Sequence, residues 1–321
     1  MKYLSNKIII LFLIVALNPG VWGASGQIRF TWAFGKRYVY LKDVAAYYGM
    51  KAYVGRNQCD LVSRYSKLIF YYDKKEGYLN GTKVYFAHAP FKRGGDAFVS
   101  EKDFLIFIDP ILRYKAIPDH KMKLIMIDAG HGGSDEGGKG KRYKEKNIVL
   151  NIAQKVKQYL AQKNYRVIMT RDWDRALTLE QRTDMAKRQK ADIFVSIHAN
   201  IAGSSVKGIE TFCLAPAGTA STHDSKAKNQ KESGNNFDKN NSKLAYEIHK
   251  ELVKRTQAVD RGVKHARFFV LKNASCPAVL IETGFLSNYY EERKLGMPSY
   301  QDAIARAIAN GIIRYHQAMS K

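Results

Sequence analysis

The chain has 321 residues, enough for one large domain or two smaller ones that each bury a core. Lys and Arg number 53 against 29 Asp and Glu, and the formal net charge of +24 attracts polyanions. With no RNA- or DNA-binding motif, nucleic acid is not the expected partner and an anionic polymer of the cell envelope is. The three cysteines, Cys59, Cys213 and Cys276, are too few for a disulfide framework.

Lys2 and Lys7 precede an apolar run from Ile8 to Leu17, which Asn18, Pro19 and Gly20 break just before Val21-Trp22-Gly23. This reads as a secretory signal peptide over residues 1–23. The run is about half the length a membrane span needs. The expectation is an exported protein of the periplasm, the cell envelope or the extracellular space, with no stable membrane span once the signal is cut.

Residues 27–118 alternate short strand-like runs (QIRFTWAF, KRYVYL, KAYVG, KLIFYY, KVYFAHAP) with turns. LKDVAAYYG reads as one helix closed by Gly49. Asn80-Gly81 is a hairpin signal because both positions tolerate positive φ. The segment is therefore expected to be a small α+β domain. Tyr38, Tyr40, Tyr47, Tyr48, Tyr53, Tyr71 and Tyr72 serve it either as ordinary core or as platforms for sugar rings. It resembles the repeated domain named after the N-terminal domain of copper amine oxidases, on YVYLKDVAAYYG, YLNGTKVYF and DAFVSEKDF. No copper or oxidase chemistry is carried over from that resemblance.

Ile117-Pro118-Asp119-His120 reads as a linker, and from 121 to 321 strands and helices alternate. Leu124 to Asp128 is an apolar run, and Ile148, Ile152, Val156 and Leu160 recur every fourth residue, giving a helix with one buried face. Arg166 to Met169 and Ile193 to His198 read as strands, with a Thr178/Gln181 capping box opening the helix between them. Ile209 to Leu214, Phe268 to Leu271 and Ala278 to Ile281 read as further strands. Helices run through Leu244, Ile248 and Leu252, and through Ala303, Ile304, Ile308 and Ile312. The polar stretch from Pro216 to Lys243 holds one large apolar residue, Phe237, and is expected to stay a mobile loop. The alternation argues an α/β domain, a mostly parallel sheet with helices on both faces.

His131 (IMIDAGHGG), His198 (FVSIHAN) and Glu282 (PAVLIETGF) follow or end apolar runs, where such sheets place chemistry, and Glu145 opens a helix. Two imidazoles and one carboxylate, with a fourth position left to water, form a ligand set that catalytic zinc uses. A second glutamate outside that set can act as base and acid in amide hydrolysis. The competing use of Glu145 is to offset the helix dipole. Glu210 is a competing carboxylate, ranked as a residue supporting the site. Arg171, Arg182 and Asn200 are candidates for holding substrate, with scaffold pairing as the alternative for each. Cys213 and Cys276 are expected as buried free thiols, a bond between them being the alternative.

DAGHGG, GKRYKEKNIVLNIA, MTRDWDRALTLEQRTDMAKRQKADIFVSIHAN, KGIETF and RGVKHARFFVLKNASCPAVLIETGFLSN occur in that order. In this series the chain resembles the zinc-dependent N-acetylmuramoyl-L-alanine amidases of type 3. The resemblance implies zinc held by His131, Glu145 and His198, Glu282 as the catalytic glutamate, and hydrolysis of the bond between muramic acid and the first L-alanine of the stem peptide. It further implies peptidoglycan as partner, with an activator protein as a candidate second one, and makes the N-terminal domain a wall-binding module or a spacer. The rival classes are a non-catalytic wall-binding protein and a metal-independent glycosidase that pairs Glu210 with Glu282.

Overall fold

The structure is a computed structural model that describes residues 28–117, 122–224 and 226–319. The expected signal peptide and the Pro118-Asp119-His120 part of the linker lie outside the described residues. Two compact units emerge: the first runs to Gly81 and resumes over His88–Phe104, and the second joins Thr82–Ala87 to the chain from Leu105 onward.

The first unit carries β1 (Phe30–Ala33), β2 (Lys36–Tyr40), α1 (Leu41–Tyr47), β3 (Lys51–Val54), β4 (Gln58–Val62), β5 (Lys67–Tyr71) and β6 (Glu76–Leu79). After β7 (Thr82–Tyr85), which belongs to the second unit, it adds β8 (Phe91–Arg93), β9 (Asp96–Ser100) and the short α2 (Glu101–Asp103). One sheet runs β1-β2-β9-β8, and β3 to β6 form an antiparallel meander. Its apolar residues alternate as half-buried strands require: Cys59 and Leu61 on β4 and Leu68 and Phe70 on β5 are fully buried. The helix expected at LKDVAAYYG ends where Gly49 turns to φ +65°, and Asn80 and Gly81 both take positive φ. Of the tyrosines named as platforms, Tyr38 and Tyr72 are buried and Tyr53 is exposed.

The second unit continues with α3 (Asp109–Leu112), β10 (Leu124–Ala129), α4 (Glu145–Ala161), β11 (Arg166–Met169), α5 (Leu179–Arg188), β12 (Ile193–Asn200) and β13 (Ile209–Leu214). Then come α6 (Asp238–Thr256), β14 (Asp260–Ala266), α7 (Phe269–Lys272), β15 (Ala278–Phe285), α8 (Tyr289–Leu295) and α9 (Pro298–Met319). Its strands lie in the order β11-β10-β12-β15-β13-β14-β7. Every pairing is parallel except β13 with β15. Met126, Phe194, Phe212 and Leu280 turn to one face, where Ala186 of α5 and Val270 and Leu271 of α7 cover them. Successive side chains of a strand alternate, so α4, α6 and α9 cover the other face. There Gly311 lets α9 approach α6 closely, since a Cβ would sit 2.4 Å from the Ile248 Cα.

Two expectations are corrected here. Phe268 to Leu271 is not a strand: Phe269–Lys272 makes a single helical turn, and the strand is Asp260–Ala266 just before it. Its buried Lys264 and His265 hid it, because a charged residue in a strand reads as surface until its partner is known. The stretch before Lys243 is not all loop either, for a 3-10 turn covers Ser233–Phe237 and α6 begins at Asp238. Amide side chains order it in place of apolar ones. Asn235 donates to the Ala215 carbonyl, and Asn241 donates to the Gly234 carbonyl and accepts from the Ala278 N–H. Cys59, Cys213 and Cys276 are all buried free thiols.

Candidate metal centre

Three parallel strands bring the site together. His131 lies just past the end of β10, His198 stands near the end of β12, and Glu282 faces it across the ladder as its register partner on β15. Neighbours in register point to the same face of a sheet, so His198 and Glu282 share one. Glu145, the first residue of α4, enters from the helix side and is 4% exposed.

The Glu145 carboxylate lies between the two imidazoles. Its Oε2 is 3.2 Å from His131 Nε2 and its Oε1 2.9 Å from His198 Nδ1. The N–H groups of Gly138 and Ala199 donate to the same two oxygens, at 2.7 and 2.9 Å. One ligand atom from each of His131, Glu145 and His198 falls within 4.8 Å of the others. Burial opposes ionisation of Glu145, yet its bonds to His131 and His198 overcome this and hold the carboxyl far below the usual range. Burial likewise disfavours protonated His131, but Glu145 and Asp135 outweigh it and raise the imidazole above its usual value. The centre thus calls for positive charge where three donors converge, and this fits a divalent cation of the kind that takes nitrogen and oxygen ligands.

The backbone is shaped for this convergence. His131 has φ +59°, a conformation L-residues seldom adopt and one that marks functional positions when packing enforces it. A Cβ on Gly130 would meet the His198 ring, and one on Gly137 would come within 2.6 Å of both Glu145 Oε2 and the His131 ring. Asp135 accepts a hydrogen bond at 2.8 Å from His131 Nδ1, leaving Nε2 turned toward Glu145. The sequence reading missed Asp135, although its spacing four residues after His131 in HGGSDEGG was visible.

Arg171 and Arg182 both pair with the scaffold, and Arg182 also lines the cavity that holds Glu282. Arg171 is fully buried and donates to the carbonyls of Ala129, Gly130 and Lys146. Arg182, 3% exposed, donates to Asp128 and to the carbonyls of Ala129 and His131. Together they clamp the turn that carries His131. Asn200 accepts from the Ile201 N–H through its side chain and from the Leu286 N–H through its carbonyl, stitching the ends of β12 and β15. Glu210 is the register partner of Glu282 on β13, the strand beyond β15 from β12, and its Oε1 accepts from Lys264 and Arg261 at 2.6 Å each. It is not part of the donor cluster.

Glu282 differs from every other carboxylate around it. Its Oε2 is closed to solvent and has no hydrogen-bond partner among the described residues. Desolvation, with the charges of Glu145 and Glu210 nearby, pushes its carboxyl well above the ordinary carboxylate value. It lines a cavity of about 490 Å³ with His131 and His198, walled on the apolar side by Leu177, Leu179 and Phe268.

Fold and site together define an α/β domain with a candidate metal centre at the ends of its parallel strands. Residues 125–314 match the family model described as N-acetylmuramoyl-L-alanine amidase. The chain is 37% identical over 194 residues to the uncharacterized protein YqiI of Bacillus subtilis (strain 168), covering 60% of this chain and 85% of that one. It is 32% identical to the N-acetylmuramoyl-L-alanine amidase AmiA of Escherichia coli (strain K12), over 60% of this chain and 76% of that one. Among solved structures, the catalytic domain of the amidase CwlV from Bacillus (Paenibacillus) polymyxa var. colistinus aligns with TM-score 0.52 and 35% identity, covering 61% of this chain and 99% of that one. The CwlD amidase of Clostridioides difficile, solved in complex with the GerS lipoprotein, aligns with TM-score 0.52 and 31% identity, over 61% of this chain and 98% of that one. The chain belongs to the N-acetylmuramoyl-L-alanine amidase family and is a peptidoglycan amidase.

Proposed function

We propose that the second unit is the catalytic domain, that His131, Glu145 and His198 hold zinc there, and that Glu282 carries the proton during hydrolysis. The bond cut joins the lactyl group of muramic acid to L-alanine of the stem peptide. The observation that carries this reading is the unpartnered, solvent-shielded Oε2 of Glu282 in the wall of the cavity that the two imidazoles share. Bound zinc supplies Lewis acidity that brings amide hydrolysis into the neutral range.

The chain's own residues do the rest. The Glu282 carboxylate takes a proton from the attacking water and passes it to the leaving nitrogen, a transfer favoured by a carboxyl raised toward the working pH. Asp135 fixes the tautomer and plane of His131, and Arg171 with Arg182 holds the turn beneath it. Glu210 is neutralised by Lys264 and Arg261, so it does not compete for the proton. That pairing also removes support from a glycosidase reading, which needs two available carboxylates.

The protein acts outside the cytoplasm, where its polymer is, and the excess of cations favours the anionic wall. The first unit serves there as a wall-binding module or a spacer. By analogy with CwlD, a lipoprotein is a candidate partner. Digestion of purified wall tests the reaction: mass spectrometry should find free L-alanine amino termini, whereas new reducing sugar ends would make the enzyme a glycosidase. Strong chelators should abolish turnover and zinc should restore it, with H131A and H198A losing both metal and activity.

A further inference from the structure

The loops that leave the site strands also build a second concavity, of about 640 Å³. Lys141 comes from the segment between His131 and Glu145, Lys207 from the loop after β12, and Tyr289, Tyr290 and Lys294 from the segment after β15. Because β10, β12 and β15 are parallel, those segments leave the same end of the sheet, the end that carries the metal centre.

Its lining has the opposite charge character to the catalytic cavity. Lys141, Lys207 and Lys294 are exposed, and among the described residues none of them forms an ion pair, although Lys294 lies 6.0 Å from the Tyr300 ring and its charge acts on Glu291. Glu291, the carboxylate in the lining, turns its two oxygens to the N–H groups of Gly208 and Phe285, both at 2.8 Å. Tyr289 and Tyr290 are 48% and 74% exposed, with ring centroids 5.3 Å apart in an edge-on pair. Unpaired ammonium groups attract anions, and exposed aromatic faces offer sugar rings apolar area with a polar edge.

We propose that this cavity docks an anionic saccharide segment of the wall polymer, one bearing carboxylate or phosphate groups, at a distance from the bond being cut. The choice of polymer rests on the reading of the chain as a wall amidase, but the prediction concerns binding and is measured without turnover.

The test compares the full chain with its K141E/K207E/K294E variant in co-sedimentation with purified sacculi, beside turnover of a soluble muropeptide. The variant should bind sacculi about tenfold more weakly, the difference shrinking at high salt. Its turnover of the soluble substrate should stay within about twofold, since none of the three lysines lies among the metal donors or in the Glu282 cavity. Repeating the comparison on sacculi stripped of phosphodiester-linked polymers separates the two sources. A difference that vanishes assigns the site to phosphate groups, and one that persists assigns it to the carboxylates of peptidoglycan. Should the charge reversal fail to fold, Y290A, at an exposed position, should still weaken sacculus binding by several-fold. Equal binding by wild type and a folded variant overturns the proposal, as does an equal loss of soluble turnover. Failure of the wild type itself to cleave the soluble muropeptide with zinc present would instead overturn the amidase reading.

Discussion

Gly130 lies directly against the ring of His198: a Cβ built on it would come 2.3 Å from Cε1 and 2.6 Å from Nε2 of the imidazole. The ring is part of the donor cluster, so the missing side chain sets where the donor stands. G130A should therefore displace the His198 ring and weaken zinc binding by about 10- to 100-fold while all three donor residues are still present. Titration with a competing chelator reads the affinity, and wild-type affinity in G130A would show that the turn relaxes freely around the added methyl.

If Glu282 is the proposed proton carrier, E282Q should bind zinc as the wild type does and lose about a hundredfold or more in kcat, because it removes the carboxylate and preserves shape. Metal analysis and kinetics on the same preparation check this. Near-normal turnover would shift the proton to Glu210, and lost zinc would make Glu282 a ligand.

Asp128 couples the site to acid stability. It is buried, and although desolvation opposes its ionisation, Arg182, Thr170 and Ser196 overcome that and lower its pKa. A carboxyl lowered by folding contributes stability above its unfolded value, near 4, and loses it as pH falls toward the folded value. D128N, which strands the Arg182 guanidinium, should cost about 3 kcal/mol at pH 7. Denaturant titrations should find that gap narrowing below about pH 4. A gap independent of pH would mean that Asp128 is not the ionised partner.

A chain starting near Lys121 should still turn over soluble muropeptides, since the four central site residues lie beyond that point. It should also melt at least roughly 5 °C lower. The cut removes β7, whose Val84 pairs with Val263 and whose Lys83 N–H donates to Asp260, and it removes the Ile111 carbonyl that accepts from buried Lys243. An unchanged midpoint would mean these contacts contribute nothing. Retained sacculus binding would make the first unit a spacer.

Most of the alternation in the second unit was legible along the chain, because its buried strands are apolar runs and its helices repeat every fourth residue. Leu124–Ala129 is buried at all six positions, and the Thr178/Gln181 box caps α5 as its spacing required. The sequence also singled out His131, Glu145 and His198, since ligand chemistry is carried by residue type and motif order. Tertiary structure decided what depends on partners far along the chain. The strand Asp260–Ala266 was hidden by Lys264, whose charge is acceptable in the interior only because Glu210, 54 positions earlier, stands 2.6 Å away. The start of α6 was hidden by amides that satisfy distant backbone groups. Arg171 and Arg182 left substrate contact and scaffold pairing both open until folding enclosed them against the carbonyls of one turn. The isolation of Glu282 Oε2 is likewise a property of the packed site: a missing partner and an excluded solvent exist only once all the surrounding strands are in place.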